Sequence, residues 1–103
     1  MYNIVLVCEH GASTGMLTTS MQKAAEAIGV EATINAYPYT KLDDLIDGAD
    51  IILLGPQVRF KKKGFEEKYA DKGVEFLVVD TVAYGTMNGE KVLKQTLEHL
   101  QAK

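Results

Sequence analysis

The chain's one cysteine closes an apolar run and faces a turn of small and hydroxyl residues: Cys8-Glu9-His10-Gly11-Ala12-Ser13-Thr14-Gly15. Gly11 and Gly15 let the backbone turn tightly, so that consecutive amide hydrogens face inward, while Ser13 or Thr14 is placed to cap a helix. Such a segment is an anion nest. Amides at a helix N-terminus bind a phosphoryl group without a lysine, and the same field favours a nearby thiolate over its thiol. A thiolate beside an anion pocket is a nucleophile for phosphorus, with amides holding the equatorial oxygens while sulfur lies in line with the donor. A buried cysteine in a plain strand-to-helix turn would be the structural reading, since cysteine is commonly buried. No packing requirement, however, selects a strand-ending cysteine, a Gly-x-Ser-Thr-Gly turn and an immediate helix together.

Elements on either side must hold that turn. Residues 3–7 (Asn-Ile-Val-Leu-Val) are nearly all aliphatic, as a strand buried on both faces of a parallel sheet requires. From Thr14 to Ile28 the period changes, with Leu17, Met21, Ala24, Ala25 and Ile28 forming one helical stripe and Gly29 supplying the stop. Val30 to Ala36 alternates as an edge strand does, and Tyr37-Pro38 closes it. A helical turn around Leu42, Leu45 and Ile46 leads to a second doubly buried strand, Asp50 to Leu54, ended by Gly55-Pro56. Residues 58–71 are ambiguous because Gly64 interrupts the stripe of Val58, Phe65 and Tyr69. Val74 to Val79 forms another strand, Tyr84 to Gly89 reads as a loop, and Val92, Leu93, Thr96, Leu97 and Leu100 stripe a last helix. The alternation predicts an α/β fold: one domain over residues 1–103, a four-stranded parallel open sheet with helices on both faces and a phosphate-binding loop after the first strand. Ligands of such sheets gather outside the carboxyl ends of the strands, where Cys8 lies.

Composition bounds the function. A chain of 103 residues, 47% hydrophobic and 24% charged, can bury a core, and it contains no apolar run near the roughly 20 residues of a membrane-spanning helix. The N-terminal residues lack the basic and apolar regions of a secretory signal, and a single cysteine agrees with a reducing compartment, so a cytoplasmic location is expected. A net charge of -3 provides no global field for nucleic acid or anionic lipid. Arg59 and Lys61-Lys62-Lys63 form the one basic run, either a solvated face or a docking patch. Asp43, Asp44 and Asp47 look like a solvated helix face and Asp50 begins its strand, so no metal site is expected. His99 lies near the end of the last helix, where the dipole accounts for it.

The stretch after the first strand resembles the phosphocysteine loop of the lactose/cellobiose-type enzyme IIB components of the bacterial sugar phosphotransferase system, with the pattern Cys-x-x-Gly-x-Ser-Thr. The similarity continues through Asp50 to Gln57 (Asp-Ile-Ile-Leu-Leu-Gly-Pro-Gln) and through Asp80 to Gly89 with its Tyr84-Gly85, covering nearly the whole chain. The resemblance implies a small domain without a cofactor, whose Cys8 takes a phosphoryl group from a histidine of the IIA component. From Cys8 the group passes to a sugar held by the membrane IIC permease. It further implies that His10, Gly11, Ala12, Ser13, Thr14 and Gly15 cradle the phosphoryl group, and that the sugar is a β-disaccharide of the cellobiose, chitobiose or lactose kind. Glu9, Gln57 and Tyr84 are candidates for the partner surface, and a monomer is expected. Glu9 and His10 stand where the family carries small neutral residues; a carboxylate there repels a phosphocysteine unless it faces solvent or is offset by a partly protonated His10.

The competing function is a thiol phosphatase of the low-molecular-weight tyrosine phosphatase kind. It requires an arginine six residues after the cysteine to clamp phosphate, and Thr14 occupies that position. No Asp-Pro pair at Asp80 supplies a general acid. A redox protein would need a second cysteine, and a P-loop would need lysine after Gly15, where Met16 stands.

Overall fold

The computed structural model describes residues 1–9 and 12–101, with the backbone alone for residues 12–14. Four strands, β1 (Tyr2–Cys8), β2 (Ala32–Pro38), β3 (Ile51–Leu54) and β4 (Glu75–Val78), form one parallel sheet in the order β2-β1-β3-β4. Ile4 pairs with Ile34 on one side and Ile51 on the other, and Leu54 pairs with Val78. The order places β1 in the interior and leaves β2 at an edge, where Pro38 opposite Cys8 withholds no needed donor from a further strand.

The pleat divides the core. Ile4, Leu6, Ile51 and Leu53 point to one face, where α1 (Ala12–Ile28) and α5 (Gly89–Gln101) bury Leu17, Met21, Ala25, Val92, Leu93 and Leu97. Val5, Val7, Ile52 and Leu54 point to the other, under α2 (Leu42–Leu45), the turn Pro56–Lys61 and α3 (Lys62–Lys68). There Phe76 stacks on Tyr69 and Phe65, with ring centroids 6.1 and 5.9 Å apart. The parallel architecture with helices on both faces agrees with the sequence reading.

Several local expectations need correction. α1 begins at Ala12 rather than Thr14, which places Ser13 inside its first turn instead of before the helix. Ile28, expected on the buried stripe, is exposed and lines a cavity between the end of α1 and α5. Val30 bonds back to Ala25 as Gly29 turns at φ 74°, so that β2 starts only at Ala32. The expected loop from Tyr84 overlaps a short helix, α4 (Thr81–Gly85), capped by the Asp80 carboxylate accepting from Ala83 N at 2.9 Å. Five residues are too few to show a helical period, and only the cap announces the helix.

At the start of α5, Gly89 lies against the backbone of α1. Its N–H donates to Ser20 Oγ at 3.0 Å, and a Cβ there would stand 2.4 Å from Met21 N. Asn88 Oδ1 accepts from Lys91 N at 3.1 Å and caps the same helix.

Candidate functional site

Cys8 is the last residue of a central strand whose Ile4–Val7 segment is buried on both faces, so its backbone is fixed by the sheet. Its parity with Ile4 and Leu6 directs its side chain to the face on which α1 lies. One residue further, Glu9 bends away and is exposed, and α1 begins at Ala12. A 17-residue helix thus starts a few residues from the sulfur, with the first-turn amides that a helix leaves without internal partners. Cys8 as a whole is 4% exposed.

The other sequence-predicted residues divide into three groups. His10 and Gly11 lie outside the described residues, as do the side chains of Ala12, Ser13 and Thr14. Gly15 occupies the first turn of α1 with open space where its Cβ would be, and its carbonyl accepts from Thr18 Oγ1 at 2.8 Å. Glu9 faces solvent and makes no ion pair with a described residue. Gln57 is exposed, in the turn that follows β3 at the same edge as Cys8. Tyr84 is 7% exposed and packed in the core with Leu17 and Val79, so it helps build the wall under α4 rather than its outer surface.

Sequence reasoning did not single out the apolar residues of that edge. Met16, Phe60 and Val82 are 66%, 75% and 68% exposed. Each sits on a segment that follows the carboxyl end of a different strand: β1, β3 and β4 respectively. The segment after β2 adds Tyr39, over whose ring Lys61 Nζ lies at 4.7 Å, the same Nζ lying 5.3 Å from the Phe60 ring. Arg59 and Lys61-Lys62-Lys63 lie in the same post-strand segment as Phe60, and Arg59 Nη1 donates to Pro56 O at 2.8 Å. The signal was available: a large apolar residue inside a basic, post-strand segment has no core to fill.

The acidic residues resolve into structural roles. Asp43 pairs with Lys68 at 3.5 Å and accepts from Tyr69 Oη at 2.6 Å, and Asp47 pairs with Lys72 at 2.9 Å. The Tyr69 hydroxyl and the Lys68 ammonium lower the Asp43 pKa; burial, and then the Asp43 carboxylate, raise that of Tyr69. Asp50 accepts from Asn3 N at 2.6 Å at the amino edge of the sheet, and His99 Nδ1 pairs with Glu75. Among the described residues no group of His, Cys, Asp or Glu is arranged to hold a metal ion. None of the described helices is long and apolar enough to cross a membrane. An apolar cavity of about 400 Å³, lined by Ala24, Ile28, Leu93 and Leu97, lies between the end of α1 and α5, away from Cys8.

Comparison with known proteins gives the same frame. A family described as "PTS system, Lactose/Cellobiose specific IIB subunit" matches residues 3–95. The oligo-beta-mannoside-specific EIIB component of Bacillus subtilis (strain 168) is 36% identical over 97 residues, 94% of each chain. The solution structure of a cellobiose-specific phosphotransferase IIB component from Borrelia burgdorferi superimposes with a TM-score of 0.81 at 43% identity, covering 99% of this chain and 94% of that one. The lactose-specific EIICB component of Streptococcus mutans is 23% identical over 82 residues, 80% of this chain but 14% of that longer protein.

Proposed function

The chain belongs to the lactose/cellobiose-specific IIB subunits of the PTS system, a family of sugar phosphotransferases, and we propose on that ground that it is a cytoplasmic phosphoryl carrier whose acceptor atom is Cys8 Sγ. The observation that supports this most is the placement of Cys8 as the last residue of an interior strand, on the face where a 17-residue helix begins four residues later, at Ala12. A group seated there meets first-turn amides and the positive end of a helix dipole, and both stabilise an equatorial phosphoryl oxygen.

In the forward step the S–P bond forms as the N–P bond of a phosphohistidine on the IIA partner breaks, and the thiol's proton passes to the departing imidazole nitrogen. In the second step a sugar hydroxyl held by the IIC permease attacks phosphorus, the S–P bond breaks and the hydroxyl proton returns to the medium or to Cys8. Nothing is oxidised or reduced. By the family resemblance, the segment from His10 to Gly15 is the cradle of the phosphoryl group. IIB components work with IIA and IIC partners, and the EIICB relative carries its permease part in the same chain. Exposed Met16, Phe60 and Val82, each on a segment that follows a strand's carboxyl end, and the basic residues beside Phe60 are the surface offered to both partners; because both need the same sulfur, they bind in turn. A relay of this kind favours small interfaces that separate quickly.

The phosphatase reading finds less support. Thr14 supplies no guanidinium. Asp80, the carboxylate nearest in sequence to a phosphatase's general acid, caps α4 and lies 3.7 Å from Lys91 Nζ, so it serves as an acceptor.

Incubation with a phosphorylated IIA protein tests the proposal. An adduct on Cys8 that resists hydroxide, is cleaved by iodine and is lost in Cys8→Ser is expected; stoichiometric release of inorganic phosphate without such an adduct overturns it.

A further inference from the structure

Gly55 is buried, yet its backbone, at φ -60° and ψ 150°, is a conformation any residue adopts. Glycine is not required there for conformational freedom. What it removes is bulk: a Cβ at this position would stand 3.0 Å from Gln57 Oε1 and 3.4 Å from Cys8 Cβ. The Gln57 amide and the Cys8 side chain therefore flank the same small gap, the one left by the missing Gly55 methyl.

The amide's position is fixed by the turn that carries it. Gln57 lies between Pro56 and Val58, both buried, and the Val58 N–H donates to Gly55 O at 3.0 Å. Arg59 Nη1 clamps the Pro56 carbonyl from the far side. Gly55 N donates to Val7 O at 2.9 Å, tying this turn to β1 one residue before Cys8. By parity with Ile51 and Leu53, Gly55 faces the same side of the sheet as Cys8, the side of α1. Gln57 itself is exposed, and its side chain makes no hydrogen bond with another described residue.

We propose that Gln57 is a catalytic residue of the Cys8 site, its Nε2–H donating a hydrogen bond to a phosphoryl oxygen as the group arrives on and leaves Sγ. This rests on the reading of Cys8 as the phosphoryl acceptor. A half-turn of the terminal amide exchanges Oε1 for Nε2 at the gap, and an oxyanion selects the donor. The chemistry suits a relay. A loop that ends in Thr14 has no guanidinium to neutralise the group. A neutral amide adds one donor without the charge that would hold the phosphoryl group too tightly to pass on.

The experiment measures transfer from a phosphorylated IIA protein to Cys8, and back, for the wild type, Gln57→Ala, Gln57→Glu and Gly55→Ala. The ³¹P chemical shift of the phosphocysteine and the rate of Cys8 alkylation by iodoacetamide are read alongside. Gln57→Ala is expected to slow transfer in both directions by about 10- to 100-fold, the effect of one donor to a developing oxyanion, with KM little changed. Its ³¹P resonance should move while the alkylation rate holds. Gln57→Glu should be slower still, because a carboxylate of the same shape repels the phosphoryl oxygens. Gly55→Ala should resemble Gln57→Ala, since its methyl displaces the amide. Transfer by Gln57→Glu at the wild-type rate, or an unmoved ³¹P resonance in Gln57→Ala, overturns the assignment while leaving Cys8 as the acceptor. A wild-type protein that takes up no phosphoryl group on Cys8 overturns the earlier reading and this one together.

Discussion

Replacing Gly89 by alanine should cost this domain a large part of its stability although the new side chain is a single methyl. Its Cβ would stand 2.4 Å from Met21 N and 2.5 Å from Ser20 C, backbone atoms of α1 that cannot rotate aside. α5 must then shift away from α1, which loosens Leu93 and Leu97 from Leu17 and Met21 and breaks the 3.0 Å bond from Gly89 N to Ser20 Oγ. Forcing extra volume into a packed contact costs about 1–3 kcal/mol, and the lost hydrogen bond about 1 kcal/mol. The stiffer unfolded chain returns up to about 1 kcal/mol. The net, roughly 2–3 kcal/mol, lowers Tm by about 10 °C in a domain of this size. Thermal and urea unfolding followed by circular dichroism measure it, with Ser20→Ala as the control that removes the bond and adds no bulk. The double variant Ser20→Ala/Gly89→Ala should remain as unstable as Gly89→Ala, because the backbone clash persists. A Tm within about 2 °C of wild type for Gly89→Ala would refute the close approach of the two helices.

Two further outcomes are expected. Tyr69→Phe keeps the stack on Phe76 but removes the 2.6 Å bond to Asp43, and should lower Tm by a few degrees at neutral pH. Because the folded state lowers the Asp43 pKa, that contribution is fully present above the ordinary carboxylate value and is lost as pH falls through the lower folded one; the gap between the two melting curves should therefore begin to narrow below about pH 4. A gap that stays constant down to pH 2 would show that Asp43 plays no part. Phe60→Ser, at a residue 75% exposed, should leave Tm within about 1 °C and raise KM for the phosphorylated IIA protein roughly tenfold, the worth of burying one aromatic ring. An unchanged KM would remove Phe60 from the docking surface.

The architecture was legible because each element carries its own pattern. The all-aliphatic Ile4–Val7 and Ile51–Leu54 announce strands covered on both faces, and both are fully buried. The stripe of Leu17, Met21 and Ala25 with Gly29 behind it announces α1, and Val92, Leu93 and Leu97 announce α5. Errors fell where the period is short or a residue outside the element decides. Ile28 continues the stripe of α1 but is exposed at the helix's end. α4 depends on the Asp80 side chain rather than on any repeat.

The sequence by itself determined the element types, the parallel alternation and the place of Cys8 at a strand's end, because hydrophobic period and turn chemistry act over a few residues. The tertiary structure alone decided what surrounds that cysteine. It brought Gln57 beside it across the bulk missing at Gly55, and gathered Met16, Phe60 and Val82 from three strand ends onto one edge. It also set Gly89 against Met21 and against Ser20, 69 positions away along the chain. These neighbours meet only because β1 lies between β2 and β3 in the sheet, and strand order is set by the packing of whole elements, not by any local run of residues.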